Sequence, residues 1–276
     1  MKYGVWKPLR IAALAGGLAA ALTVPAFAQL AAPNSLGDAI GHVHLNVRDM
    51  EAHQRFWTEV GGIPVNNEKL VMMQFPGIYV ILRKQDSTGG SAGTVVNHFG
   101  LHVKNLDEWL PKWKAANLKI EAGNNPRQLY LIAPDDVRLE IIEDTSISTP
   151  VAMHHIHLWV TDPLAAQAWY VKNFGAVAGK RNQFETANVP GAEITFAKQD
   201  KAQAPTKGRS IDHIGFEVKN IDEFVKRLET AGVPIETQIR TSANASKLRI
   251  AYVMDPWGTY IELTQGLTPA TQSASR

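Results

Sequence analysis

The sequence has no cysteine among its 276 residues. This absence excludes disulfide bonds, a lipid-anchored cysteine, thiolate catalysis and cysteine-bound zinc, so any metal must be held by nitrogen and oxygen atoms. Strong charge of one sign is lacking too, because the net charge is +2 and the charges are scattered. Such a chain is not expected to bind nucleic acid, and a small-molecule substrate is the expected partner.

The first residues have the pattern of an export signal. Three basic residues precede an apolar run from 11 to 27, which ends at Ala26-Phe27-Ala28, a small-x-small cleavage motif. Glycines and a proline interrupt the run, which is already short for a bilayer core of ~30 Å. We interpret residues 1–28 as a cleaved signal peptide and expect a periplasmic or secreted protein with no stable membrane insertion after cleavage.

The remaining chain repeats itself. The run from His42 to Asp49 returns from His155 to Asp162, and the run from Asn97 to Glu108 returns from Asp212 to Glu223, at offsets of 113 and 115 residues. The four unit markers His42, His98, His155 and His213 lie 56, 57 and 58 residues apart. The sequence therefore predicts four similar modules, grouped two by two.

Each module has the same order of local signals. An alternating, strand-like run reaches a turn and enters an amphipathic helix, such as 106–116 or 221–231, and short strands follow the helix. The turn residues are Asp49, Asn105, Asp162 and Asn220. The residues expected to close the helices in a left-handed conformation are Gly61, Asn117, Gly175 and Gly232.

These signals predict an α+β fold. We place a first domain at residues 40–145, a second at 152–267, a linker between them and a mobile tail at 268–276. Residues 200–210 are predicted to form a loop between modules.

Histidines and two glutamates carry the candidate chemistry. Eight of the nine histidines lie in the strands that open the modules, and only His53 lies elsewhere, on a helix. Alternation along a strand puts His42 and His44 on one face, and likewise His155 and His157. Glu140 and Glu262 lie in apolar strands, where a carboxylate needs a partner that offsets its desolvation.

A single histidine in a strand is usually structural, but here a set of two histidines and one glutamate recurs in the same order. These residues and their spacing resemble the vicinal-oxygen-chelate superfamily of glyoxalases, fosfomycin-resistance proteins and extradiol dioxygenases, over nearly all of residues 40–267. The resemblance implies four βαβββ modules that form two cups around divalent metal ions. It implies one ligand set of His42, His98 and Glu140, and a second of His155, His213 and Glu262.

The chain also departs from the family pattern. The second ligand strand follows an Asp-Pro-x-Gly turn at 255–258, but the corresponding turn at 133–136 has Asp136 where glycine is expected. Relatives of the glyoxalase I type have a fourth ligand where this chain has Ile81 and Thr195, which argues against glyoxalase I proper. Residues 241–247 contain no histidine, which argues against ordinary catechol cleavage. Fosfomycin-resistance thiol transferases have a loop that binds potassium and phosphonate, and no such loop is recognisable in residues 241–250. This argues against that activity.

A site of two histidines and one carboxylate leaves coordination positions for substrate or dioxygen, and it suits Fe2+, Mn2+, Zn2+ or Ni2+. We expect a metal-dependent enzyme, a dioxygenase or an isomerase or lyase, with His157, His44 and Tyr252 handling protons. Further residues expected to face the cups are Tyr130, His102 and Glu217. The alternative is a protein that binds or sequesters a small molecule without catalysis. The resemblance also allows a homodimer.

Overall fold

The computed structural model of the protein describes Met1 and residues 30–268. The predicted signal peptide, apart from Met1, and most of the predicted tail lie outside the described residues. Within the described residues the chain forms four modules, each with one strand, one helix and three further strands. The structure thus confirms the predicted α+β fold of βαβββ modules.

The first and last modules form one eight-stranded sheet, which we call the outer cup. The first module consists of β1 (Asp38–Val47), α1 (Met50–Glu59), β2 (Ile63–Asn67), β3 (Leu70–Phe75) and β4 (Ile78–Lys84). The fourth module consists of β13 (Ile211–Val218), α4 (Ile221–Thr230), β14 (Ile235–Thr241), β15 (Arg249–Met254) and β16 (Tyr260–Gln265). The strand order is β14-β15-β16-β13-β1-β4-β3-β2.

The two middle modules form the other eight-stranded sheet, the inner cup. The second module consists of β5 (Val96–Val103), α2 (Leu106–Ala115), β6 (Lys119–Ala122), β7 (Gln128–Ala133), a 3-10 turn (Pro134–Asp136) and β8 (Val137–Glu143). The third module consists of β9 (Val151–Val160), α3 (Pro163–Phe174), β10 (Val177–Arg181), β11 (Phe184–Val189) and β12 (Ala192–Lys198). The strand order is β10-β11-β12-β9-β5-β8-β7-β6.

This module pairing differs from the one that the predicted ligand sets assumed. Each of the sequence repeats, 40–145 and 152–267, contributes one module to each cup, so neither repeat forms a sheet by itself. The opening strands of modules two and four carry the same His-x-Gly pattern, at His98 and His213. Either strand is therefore suited to lie beside β1, and sequence pattern alone does not select between them.

Local signals set the helix ends. The side chains of Asp49, Asn105, Asp162 and Asn220 cap the four helices by accepting hydrogen bonds from backbone N–H groups in the first turn. After the helices, Gly61, Asn117, Gly175 and Gly232 have positive φ angles. These predicted boundaries are confirmed, because short polar caps and left-handed residues act within a few residues of the chain.

Aromatic side chains on the helices pack against strands of the other sheet. The ring of Trp57 on α1 stacks on Phe99 of β5 at 5.7 Å, and the ring of Phe174 on α3 lies 4.3 Å from Phe216 of β13. Sheet hydrogen bonds therefore join modules one to four and two to three, whereas aromatic core contacts join one to two and three to four. One continuous hydrophobic cluster results, and it includes the fully buried Trp113.

Candidate metal centres

Each cup brings two histidines and one glutamate to a single point. In the outer cup, Nε2 of His42 and Nε2 of His213 lie 2.9 and 3.1 Å from Oε2 of Glu262. In the inner cup, Nε2 of His98 and Nε2 of His155 both lie 3.0 Å from Oε2 of Glu140. All six predicted ligands are buried.

The grouping of the ligands corrects the predicted sets. His42 does not meet His98 and Glu140, because β1 pairs with β13, and Gly215 of that strand lies opposite His42. His155 likewise joins His98 and Glu140, because β9 pairs with β5. The individual residues were predicted, but each set exchanges its first histidine for that of the other repeat.

A glycine in each cup makes room for a ligand ring. A Cβ atom added to Gly215 would lie 1.9 Å from Cε1 of His42, and one added to Gly100 would lie 2.3 Å from Cε1 of His155. Real Cβ atoms do not approach other atoms so closely, so both positions require glycine while these rings keep their places. The glycine two residues after His98 and His213 is therefore part of the site.

A third histidine lies beside each set. His44 joins the outer set and His157 the inner one, with one ligand atom from each member within 4.8 Å of all the others. The strand residues paired with them are Ile81 and Thr195, so these family positions supply no nitrogen ligand. His44 and His157 were predicted as proton-handling residues from strand alternation, and the structure places both within their clusters.

These residues fit a divalent metal ion. Two ligand atoms at ~2.1 Å from one ion lie roughly 3.0–3.4 Å apart for octahedral or tetrahedral angles, close to the separations seen here. Several buried ring nitrogens form no hydrogen bond with the described residues, among them both nitrogens of His44 and Nε2 of His157. Unpaired buried nitrogens are costly, and a metal ion or a substrate group would satisfy them.

Electrostatics keep the ligands ready for a cation. Burial alone would raise the pKa of Glu140, but hydrogen bonds with His155 and His98 hold it below its ordinary value. Glu262 follows the same pattern through His213 and His42. Burial lowers the pKa of His98 to about 4, so its ring is neutral near pH 7, as a metal ligand must be.

The residue before the second histidine differs between the cups. Oδ1 of Asp212 lies 2.6 Å from Nδ1 of His213, whereas Oδ1 of Asn97 lies 2.8 Å from Nδ1 of His98. Although burial opposes it, the pKa of His213 is raised by Asp212 and Glu262. Sequence reasoning missed this pair, yet their repeated position before a ligand was a usable signal.

The glutamate ligands are held by neighbouring strands. The hydroxyl of Tyr252 donates a hydrogen bond of 2.5 Å to Oε1 of Glu262. In the inner cup, Gln128 donates to Oε1 of Glu140, and the ring of Tyr130 packs edge-on against His98 at 5.5 Å. Tyr252 and Tyr130 therefore face the cups as predicted, and Gln128 was missed.

The other predicted neighbours lie farther along the strands. His102 stacks on His154 at 3.8 Å, and its Nδ1 lies 3.2 Å from Asp144. His154 in turn shares a hydrogen bond with the ligand His155. Glu217 accepts hydrogen bonds from the Thr264 hydroxyl and from the backbone N–H groups of 266 and 267, so it holds the end of the outer sheet.

The walls of the two cups differ in polarity. The outer cup adjoins a buried, mainly apolar cluster. This cluster includes Leu70, Met72, Tyr79, Ile81, Leu248, Ile250, Tyr260 and Leu267. The inner cup has polar residues on the matching strands: Nε of Arg181 lies 2.7 Å from Glu193, and its NH2 group donates to Thr195.

The turns before the two glutamate strands are alike despite different residues. Gly258 has a φ of 101°, and Asp136 in the first turn has a φ of 54° after Asp135 at 59°. Aspartate tolerates this region better than most side chains. The carboxylate of Asp135 is held by Arg48 and by His53, the one histidine outside the cups. The missing glycine therefore does not displace Glu140.

Comparisons with known proteins agree with this architecture. Residues 152–263 match the model of the Glyoxalase/Bleomycin resistance protein/Dioxygenase superfamily. Glyoxalase I from Zea mays has a TM-score of 0.66 at 16% sequence identity, covering 86% of this chain and 94% of its own. A variant of that enzyme gives 0.67 at 16%, covering 87% and 96%. A proposed dioxygenase from Bacillus subtilis gives 0.61 at 15%, covering 88% and 87%.

These comparisons define a tandem protein with the glyoxalase and dioxygenase fold. The sequence match covers residues 152–263, in modules three and four, and agrees with the resemblance that the residues suggested. No match was found among curated proteins. Among the described residues, no helix has the length and apolarity needed to cross a membrane.

Proposed function

We propose that the protein is a metal-dependent enzyme that acts on a small, oxygen-bearing substrate. The observation that carries the proposal is that two buried imidazole nitrogens each lie about 3 Å from one carboxylate oxygen, an arrangement present twice. A sequestering cup without a metal has no need for such a set, which is costly to bury unpaired.

The donor set suits Fe2+, Mn2+, Zn2+ or Ni2+. Such an ion would polarise adjacent substrate oxygens and stabilise an anionic form of the substrate. The chain supports a dioxygenase or an isomerase or lyase equally, because both reactions use open positions beside two histidines and one carboxylate. The names of the structural relatives, a glyoxalase and a proposed dioxygenase, are consistent with either reaction.

The proton-handling residues follow from the geometry. The buried Nε2 of His157 has no hydrogen-bond partner among the described residues, and the ring belongs to the inner cluster. A neutral ring beside the ligands can accept a proton from a bound substrate. His44 has the same place in the outer cup. Tyr252 orients Glu262 and acts as a proton-handling residue there.

Metal content tests the proposal directly. We expect the mature chain, purified and reconstituted, to bind two first-row ions, as measured by elemental analysis. Glu140→Ala and Glu262→Ala should each bind one ion, and the double variant none. Glu51→Ala, at a helix residue whose side chain is 86% exposed, is the matched control and should bind two.

A mature chain that contains no metal and gains none would contradict the enzyme proposal and favour the binding or sequestering protein. Where iron is found, oxygen uptake with small vicinal diols separates dioxygenase from isomerase or lyase chemistry.

We also propose that the chain is exported, and cleaved after Ala28. N-terminal sequencing of the protein from a periplasmic fraction tests this cleavage site.

Each cup is complete within one chain, so the proposed activity does not need a homodimer. Sedimentation of the mature chain would show whether a homodimer forms.

A further inference from the structure

One cation in the inner cup has no ionic partner. Among the described residues Arg138 forms no ion pair, and its Nε is buried without a hydrogen-bond partner. Its guanidinium lies over the ring of Tyr130, with Cζ 3.6 Å from the ring centre. Tyr130 also packs against His98, so only the Tyr130 ring separates the guanidinium from the candidate metal centre.

Two other arginines near the candidate centres are already paired. Arg181 lies against Glu193 in the inner cup, and Arg83 lies 3.4 Å from Asp212 in the outer cup. Arg138 makes only one long contact of 3.5 Å, from its NH1 to the neutral side chain of Asn97. Among the described residues, Arg138 therefore has N–H groups left to bind a ligand.

The matching strand position of the outer cup carries Tyr260, and the cation over its ring, Lys207 at 4.6 Å, is paired with Glu236. Arg138 pairs across the sheet with Ile132, two residues beyond the pair of Tyr130 with Glu140. The same offset from Glu262 leads to Tyr260 in the outer cup. The repeated modules thus differ at one wall position, by a guanidinium in one cup and a phenol in the other.

The charge at this wall position affects which substrate groups the inner cup can bind. With a divalent ion present, Glu140 compensates half of the ion's charge, and Arg138 adds a positive charge that no nearby carboxylate offsets. A stacked guanidinium still presents its N–H edge, which suits the two oxygens of a carboxylate or phosphonate. An anionic substrate group would balance the charge and satisfy the buried Nε.

We propose that the inner cup binds substrates in which an anionic group, a carboxylate or a phosphonate, accompanies the metal-chelating oxygens, and that Arg138 selects for that group. This proposal rests on the proposed function. The outer cup should select less for such a group, because its nearby cations Arg83 and Lys207 are paired with Asp212 and Glu236.

A pair of probes isolates the anionic group. Catechol and 3,4-dihydroxybenzoate offer the same chelating oxygens, and the second adds a carboxylate. Their affinities for the zinc-loaded mature chain are measured by calorimetry, with bound zinc counted in every sample. We expect Arg138→Met to weaken binding of 3,4-dihydroxybenzoate by ~10- to 100-fold and to change catechol binding little. Arg138→Lys should recover part of the loss.

Matched variants locate the effect. His213→Ala, which disrupts the outer cup, should keep the preference for the carboxylate probe, and His98→Ala should abolish it. Arg55→Met, at an exposed helix position, should behave like the unchanged protein.

Equal changes for both probes, or no change for either, would overturn the assignment of Arg138, as would a zinc-loaded chain that binds neither probe. A chain that binds no zinc contradicts the proposed function itself, and the zinc count reveals that case separately. Circular dichroism and an unchanged zinc count for Arg138→Met exclude misfolding as the cause of a loss.

Discussion

The outer and inner cups hold the same ligands in different surroundings. The outer centre has Asp212 behind a ligand and a buried apolar cluster around it. The inner centre has Asn97 in the corresponding place, and polar walls with Arg138, which forms no ion pair with any residue that the structure describes. The difference shows that two duplicated candidate sites can share the same histidines and glutamate while the charge and polarity around them diverge, because those depend on other strand positions.

The largest expected effect concerns the third histidine of each cluster, His157 in the inner cup and His44 in the outer cup. If turnover of an anionic substrate takes place in the inner cup, His157→Ala should lower kcat by ~10²- to 10⁴-fold, because a general base is lost. His44→Ala should change it little. Steady-state kinetics on a metal-loaded chain measures both. Equal losses would mean that the cups share the activity, and loss of metal from His157→Ala would make this residue a ligand rather than a base.

The residues behind the ligands should tune metal affinity in opposite directions. We expect Asn97→Asp to tighten metal binding in the inner cup and Asp212→Asn to weaken it in the outer cup, each by ~10- to 100-fold, because a carboxylate makes the imidazole a stronger donor. Competition with a coloured chelator measures both constants. Changes in the same direction would contradict the role given to this pair.

The smallest expected effect is on how the free energy of unfolding changes with pH. Burial raises the pKa of Glu217 to about 7, and Glu262 contributes to the rise. Because the folded pKa lies above the unfolded value, this group's contribution is complete below about pH 4.5 and is lost as the pH rises through 7. Glu217→Gln should therefore reduce the loss of stability between pH 5 and 8 by about 1–2 kcal/mol.

The inner cup should have the opposite dependence on pH. Burial lowers the pKa of His154 to about 2, so its contribution is complete above about 6.5 and declines as the pH falls. Urea unfolding of metal-free protein across this range distinguishes the two groups. If Glu217→Gln and the unchanged protein gave parallel curves between pH 5 and 8, the contribution of Glu217 would be refuted.

Much of this site was predictable because its signals are local. Strand alternation, capping residues and the recurring histidines predicted the four modules and the two additional histidines, and the resemblance to the superfamily implied the six residues that converge in the cups. The pairing of modules was not predictable, since Gly100 and Gly215 make either opening strand an acceptable neighbour for β1. Arg138 and Gln128 were missed because an arginine or glutamine in a strand usually faces water, and only the sheet register brings these two to the ligands.

The crossed connections of this chain have a consequence for its integrity. Each centre takes residues from both sequence repeats: His42 from the first joins Glu262 from the second, and Glu140 from the first joins His155 from the second. Neither sequence repeat therefore contains all the residues of one candidate centre. A truncation that removed one repeat would leave an incomplete set of donor atoms in both cups. The two sequence repeats are thus expected to fold together as one unit, because each sheet takes one module from each repeat.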